Sequence, residues 1–135
     1  MKQKILSLAG DGIGQEVVPV SLEVLKAVTS LAGRDIEIVH GLVGGDAIDK
    51  VGSPLPDETL SLARETDAIL LGGVGGPKWD DLPTQERPER GLLGLRQSLG
   101  LYANLRPALV SPALVGSSSL KHEIVNNLDI LIIRE

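Results

Sequence analysis

A strand–loop–helix–strand pattern at the N-terminus limits the fold more than anything else in this chain. Residues 4–9 (KILSLA) form a short apolar run closed by Gly10, the pattern of a buried strand. Gly10-Asp11-Gly12-Ile13-Gly14 follows. Val17, Val20, Val24, Val28 and Leu31 then recur at three- and four-residue steps, which places them on one face of a helix. Gly33 supplies its C-terminal stop, and Pro19 is tolerable only in its first turn. Residues 36–40 (IEIVH) alternate and read as a second strand. Two strands joined through a helix make a βαβ unit, so the fold class is α/β with a partly parallel sheet.

The remainder extends this plan. Residues 41–56 are loop-rich, with a short helical turn at 46–50. Pro56-Asp57-Glu58 opens a helix to about residue 65, its acids placed where the helix dipole favours them. Residues 68–71 are a third strand, and the glycine-rich stretch 72–76 is a loop directly after it. Residues 91–99 are helical, and 101–110 are extended, with Pro107 marking an edge or a bend. After a loop at 111–119 and a short helix within 120–127, LDILII at 128–133 reads as a buried strand. The chain ends just beyond it, at the strand end where α/β folds place ligands, so the expectation is a truncated domain.

Composition removes several function classes. The net charge of −5 argues against a nucleic-acid partner, which needs a basic face. No apolar run approaches the roughly 18 residues of a membrane span. The N-terminus lacks the layout of a signal peptide, and the absence of cysteine excludes disulfides and thiolate metal sites. The expected location is the cytoplasm. The core must be aliphatic, because Trp79 and Tyr102 are the only Trp, Tyr or Phe residues.

The turn at 10–14 stands where a dinucleotide fingerprint belongs. It lacks the third glycine, because position 15 is Gln, and His40-Gly41 ends the second strand where an acid is expected. The Rossmann reading is rejected; a tight turn and a ligand contact both remain open. The loop at 72–76 is either a close backbone approach for a cofactor or a plain mobile turn. His40 and His122 have no partner at metal-ligand spacing and read as structural or surface residues. Asp80-Asp81 reads as a solvated pair. Residues 87–107 (RPERGLLGLRQSLGLYANLRP) hold four of the 13 basic residues. They are either a solvated face or a site for a small anion, since a guanidinium matches a carboxylate in two parallel bonds. Arg96, Arg106 and Arg134 are the sharpest set and suit two carboxylates, with Leu92-Leu93 beside them for an apolar group.

Four segments carry a resemblance: GDGIGQEV, LLGGVGGPKWDDLP, RPERGLLGLRQSLGLYANLRP and LDILIIRE. Together they resemble the N-terminal part of the isocitrate/isopropylmalate dehydrogenases, which are β-decarboxylating enzymes. The resemblance implies a mixed sheet flanked by helices, not Rossmann and incomplete here, with residues 1–100 in a first domain and 101–135 opening a second. It implies NAD-dependent oxidative decarboxylation of 3-isopropylmalate to 2-oxoisocaproate in leucine biosynthesis by a homodimer using Mg or Mn. Homoisocitrate or tartrate chemistry is the alternative within the family. Outside it, the alternative is a non-catalytic carboxylate-binding or docking remnant. By motif, Arg96, Arg106 and Arg134 bind the substrate carboxylates, and Leu92 and Leu93 meet the alkyl group. Ile13, Gly73, Val74, Gly75, Gly76, Glu89 and Asn104 lie along NAD. The catalytic tyrosine and lysine and the metal-binding aspartates of the family fall beyond residue 135. The chain alone is therefore expected to be inactive.

Overall fold

The computed structural model describes residues 2–134. The chain divides into two compact units, Met1–Gly100 and Leu101–Glu135. The first holds β1 (Gln3–Gly10), α1 (Gly14–Leu31), β2 (Ile36–His40), α2 (Gly44–Val51), α3 (Asp57–Arg64), β3 (Ala68–Gly73) and α4 (Glu89–Ser98). A 3-10 turn at Pro77–Trp79 precedes α4. The second holds β4 (Asn104–Leu109), a 3-10 turn at Pro112–Ser117, α5 (His122–Val125) and β5 (Asp129–Arg134).

In the first unit the strands are parallel in the order β2-β1-β3. The central strand β1 carries Leu6 and Leu8, both fully buried. Side chains alternate along a strand, so these two share a face. There they pack with Val43, Ala63 of α3 and Leu95 of α4. Helix α1 lies against β1 and β3 and turns Val18 and Leu22 inward. The Thr59 hydroxyl of α3 donates to the Leu42 carbonyl and accepts from the Leu42 N–H, which ties down the loop entering α2.

The stripe Val17, Val20, Val24, Val28 and Leu31 shares one face of α1 as the spacing predicts, and that face turns outward, with Val24 58% exposed. Helix α1 carries two adjacent apolar stripes, and the sheet covers only the one running through Val18 and Leu22. Other expectations are corrected. Pro19 lies in the interior of α1, past its first turn. The helical bond it cannot make would end on the Gln15 carbonyl. Both residues are exposed, so water can satisfy that oxygen. Helix α2 starts at Gly44, two residues before the expected turn. Strand β3 continues through Gly72 and Gly73, because Gly73 keeps parallel register with Gly10. In the second unit, among the described residues, β5 pairs antiparallel with β4 alone, and all its residues are exposed instead of buried.

Core and stripe make different predictions. Leu8→Ala should cost about 2–5 kcal/mol in urea unfolding, as deletions in a close-packed core do. Val24→Ala should change stability by less than about 0.5 kcal/mol, as exposed positions do. A loss at Val24 rivalling that at Leu8 would show that the outward stripe is buried.

Candidate functional site

The carboxyl ends of β1 and β3 meet at one place in the first unit. The Asp11 N–H donates to the Gly73 carbonyl at 2.7 Å, continuing the sheet by one bond. The Asp11 side chain is 3% exposed and accepts three backbone N–H bonds. Gly45 and Gly75 donate to Oδ2, each at 2.8 Å, and Asp46 donates to Oδ1 at 2.7 Å. One carboxylate therefore joins the turn after β1, the first turn of α2 and the glycine loop after β3. The Gln15 amide closes the same turn by donating to the Gly10 carbonyl at 2.6 Å.

Gly73, Val74, Gly75 and Gly76 are half-buried, and Val74 packs on the core. Gly75 has φ +103°, a region that favours glycine, and a Cβ there would collide with Oε1 of Glu89. The loop backbone and the exposed Glu89 carboxylate are thus neighbours. Ile13, at the N-cap of α1, is 64% exposed on the same turn as Asp11. The Trp79 indole lies against Gly45 and Gly76 and donates to Asp49 Oδ1 at 3.3 Å. Lys78 pairs with the same carboxylate and sits 5.2 Å from the indole centroid.

Helix α4 lays out a row. Glu89, Leu92, Leu93 and Arg96 recur at helical spacing on one side, while Gly91 and Leu95 turn to the core on another. Leu92 and Arg96 are half-buried, and Leu93 is 49% exposed. Among the described residues, Arg96 makes no ion pair. Arg87 is structural: it donates to the Leu82 and Asp80 carbonyls at 3.1 and 2.7 Å and clips the loop before α4.

In the second unit Asn104 pairs in register with Arg134, and Arg106 with Ile132. Directly opposed residues share a face, as do residues two apart on a strand. Asn104, Arg106 and Arg134 therefore stand on one face of the β4–β5 ladder. Arg106 Nε donates to Asn104 Oδ1 at 3.2 Å. Arg134 does not end a buried run, because β5 is exposed.

Two groups thus form. Ile13, Gly73, Val74, Gly75, Gly76 and Glu89 gather at the carboxyl end of the parallel sheet, with Leu92, Leu93 and Arg96 further along α4. Asn104, Arg106 and Arg134 gather on β4–β5. Sequence reasoning missed Asp11, whose partners lie 34, 35 and 64 positions away. The available signal was an acid in the strand-to-helix turn. It also missed the Lys78–Asp49–Trp79 cluster. Among the described residues, no group of three His, Asp or Glu side chains is placed to hold a metal ion.

The cluster predicts a pH response. The hydrogen bond from Lys78 is the main cause that holds the Asp49 carboxyl below its ordinary value, with the Trp79 bond adding to it. A carboxylate whose pKa is lower in the folded state stabilises fully above its unfolded value and loses that contribution as pH falls through the folded one. Trp79 emission should therefore titrate with a midpoint below the usual carboxylate range, and Asp49→Asn should abolish that step. A step unchanged in Asp49→Asn would assign it to another group.

These features have relatives. Residues 4–135 match the family model described as isocitrate/isopropylmalate dehydrogenase. The 3-isopropylmalate dehydrogenase of Aquifex aeolicus is 58% identical over 99% of this chain, and that of Shouchella clausii 53% identical over all of this chain. The chain spans 37% of the length of each of these two relatives. Among solved structures, the isocitrate dehydrogenase of Methylococcus capsulatus superposes on 98% of the chain with a TM-score of 0.74 at 27% identity, covering 34% of that protein. The apo β-decarboxylating dehydrogenase of Thermococcus kodakarensis gives 0.68 at 34% identity, over 98% of this chain and 33% of that one. The chain belongs to the isocitrate/isopropylmalate dehydrogenase family.

Proposed function

We propose that this chain supplies the substrate clamp and part of the cofactor site of a 3-isopropylmalate dehydrogenase. The activity is the NAD-dependent oxidative decarboxylation of 3-isopropylmalate to 2-oxoisocaproate in leucine biosynthesis. The full-length enzyme works as a cytoplasmic homodimer, with residues 1–100 belonging to its first domain and 101–135 to its second. The observation that carries this reading is the row on α4: a carboxylate, two leucines and a guanidinium, starting beside a glycine loop. A branched alkyl malate presents the matching series of groups, and the relatives at 53–58% identity carry the name of an enzyme that acts on it.

The roles follow from chemistry. Arg96, Arg106 and Arg134 bind the two substrate carboxylates through bidentate charge-assisted bonds, which fix orientation as well as charge. Leu92 and Leu93 cover the isopropyl group and keep water from it. The Glu89 carboxylate accepts from the nicotinamide ribose hydroxyls, and Asn104 approaches the ring. The half-buried backbone of Gly73, Val74, Gly75 and Gly76 offers a strip with little side-chain bulk for NAD to lie along, with Ile13 on its edge. NAD, when bound, accepts the hydride from the hydroxyl-bearing carbon. By the family resemblance, the residues that hold Mg or Mn lie outside this chain.

The test joins this chain to the remaining length of the Aquifex aeolicus relative. The chain alone, with 3-isopropylmalate, NAD and Mn, should give no sustained NADH formation, while the joined protein should turn over. In the joined protein, Leu93→Ala should reduce kcat/KM for 3-isopropylmalate about tenfold to a few hundredfold more than for malate, as apolar pockets discriminate. Sustained turnover by the chain alone, or equal losses on both substrates, would overturn these assignments.

A further inference from the structure

We propose that Asp11 is a positioning residue: its carboxylate holds the Gly75–Gly76 loop and thereby sets where the Glu89 carboxylate stands. Asp11 is buried, so it acts through what it holds and not by touching a ligand. Two of its bonds, from Gly45 and Asp46, take N–H groups that the first turn of α2 leaves without helical partners. The third, from Gly75, is the only one that leaves this helix, and it fixes a loop peptide that no strand pairing reaches.

The two carboxylates lie close to glycine backbone. Gly44 has φ +75°, and a Cβ there would press on Asp11 Oδ2; a Cβ on Gly75 would press on Glu89 Oε1. The two glycines leave room for the carboxylates to sit against bare backbone on both sides of the loop. The α2 N-terminus is also filled from within. Its dipole favours an anion, and the protein's own carboxylate stands where an external phosphate would bind. Binding of a dinucleotide at this end of the sheet then depends on the loop that Asp11 orders. That functional consequence rests on the cofactor reading of Glu89 and the loop; the positioning itself does not.

The two parts are tested separately on the 135-residue chain. Amide hydrogen exchange by NMR reads the positioning directly. In the unaltered protein the Gly75 amide should exchange at least tenfold more slowly than the neighbouring Gly76 amide. In Asp11→Asn it should lose that protection, while the Leu6 and Leu8 amides of β1 keep theirs to within a few-fold. Rapid exchange at Gly75 in the unaltered protein would overturn the proposal without any variant. So would an Asp11→Asn protein that retains Gly75 protection, or one that loses it uniformly along β1. If Asp11→Asn does not fold, Gly44→Ala displaces the carboxylate from the opposite side and should give the same local loss. Energy transfer from Trp79, the single tryptophan, to NADH reads the consequence. Asp11→Asn should weaken NADH binding at least tenfold, and equal binding by both proteins would overturn the proposed role for Glu89 placement. Absence of any transfer in the unaltered protein would count against the cofactor reading, and the exchange data would then decide Asp11 alone.

Discussion

One buried carboxylate does what the sheet cannot. The ladder joins β1 to its neighbours only as far as Gly10 and Gly73, yet three chain segments must meet beyond that point. Removing a carboxylate from water costs several kcal/mol unless its charge is compensated. Hydrogen bonds to a charged acceptor contribute about 1.5–3 kcal/mol each, so the three N–H groups around Asp11 are of the size needed to offset that cost. Each bond lost leaves the charge less fully compensated, so the turn, the helix start and the glycine loop are coupled through one carboxylate.

That coupling also shapes the apolar packing. Asp11 fixes the start of α2 over the end of β1, which brings Val43 onto Leu6 and Leu8. Leu95 of α4 completes this cluster from the side opposite α1. Because β1 is central and buried on both faces, it reads as a near-continuous apolar run, as parallel strands do. Neither outer strand has a buried residue, and α1 turns Val20, Val24 and Val28 away from the sheet. Three strands present too narrow a surface to cover both apolar stripes of an 18-residue helix.

What the sequence revealed and what it hid divide along the same line. The three parallel strands, α1 and α3 were legible because each rests on local signals: an apolar run, a period, a proline or glycine stop. The burial of an element was not legible, since it depends on its neighbours. LDILII has the composition of a buried strand, but among the described residues β5 has one partner strand and all six residues of Asp129–Arg134 are exposed. In α1 the period showed that apolar faces exist without showing which one the sheet takes. For the site, the glycine loop and the arginines were legible as residue types suited to a cofactor backbone and to carboxylates. Asp11 was not, because its meaning lies in N–H groups that belong to Gly45, Asp46 and Gly75, and no spacing rule links those positions.

Helix α4 shows how a core face and a second row of residues can share ten positions. A helix with Gly91 and Gly94 in its body gives up about 1 kcal/mol per glycine relative to alanine. The structure shows what the two glycines permit. A Cβ on Gly91 would overlap the Pro54 carbonyl, and one on Gly94 would crowd the Leu55 side chain at 3.2 Å. The small residues let α4 sit close to the 52–55 loop and drive Leu95 into the core at 3% exposure. That close seat fixes the rotation of the helix about its axis. Rotation matters for the adjoining row too, since Glu89, Leu92, Leu93 and Arg96 span about 100° of the helix and would all turn together if α4 rolled. The intrinsic helix stability lost at the glycines is thus exchanged for a fixed orientation, and the adjoining row takes its direction from the packing beside it.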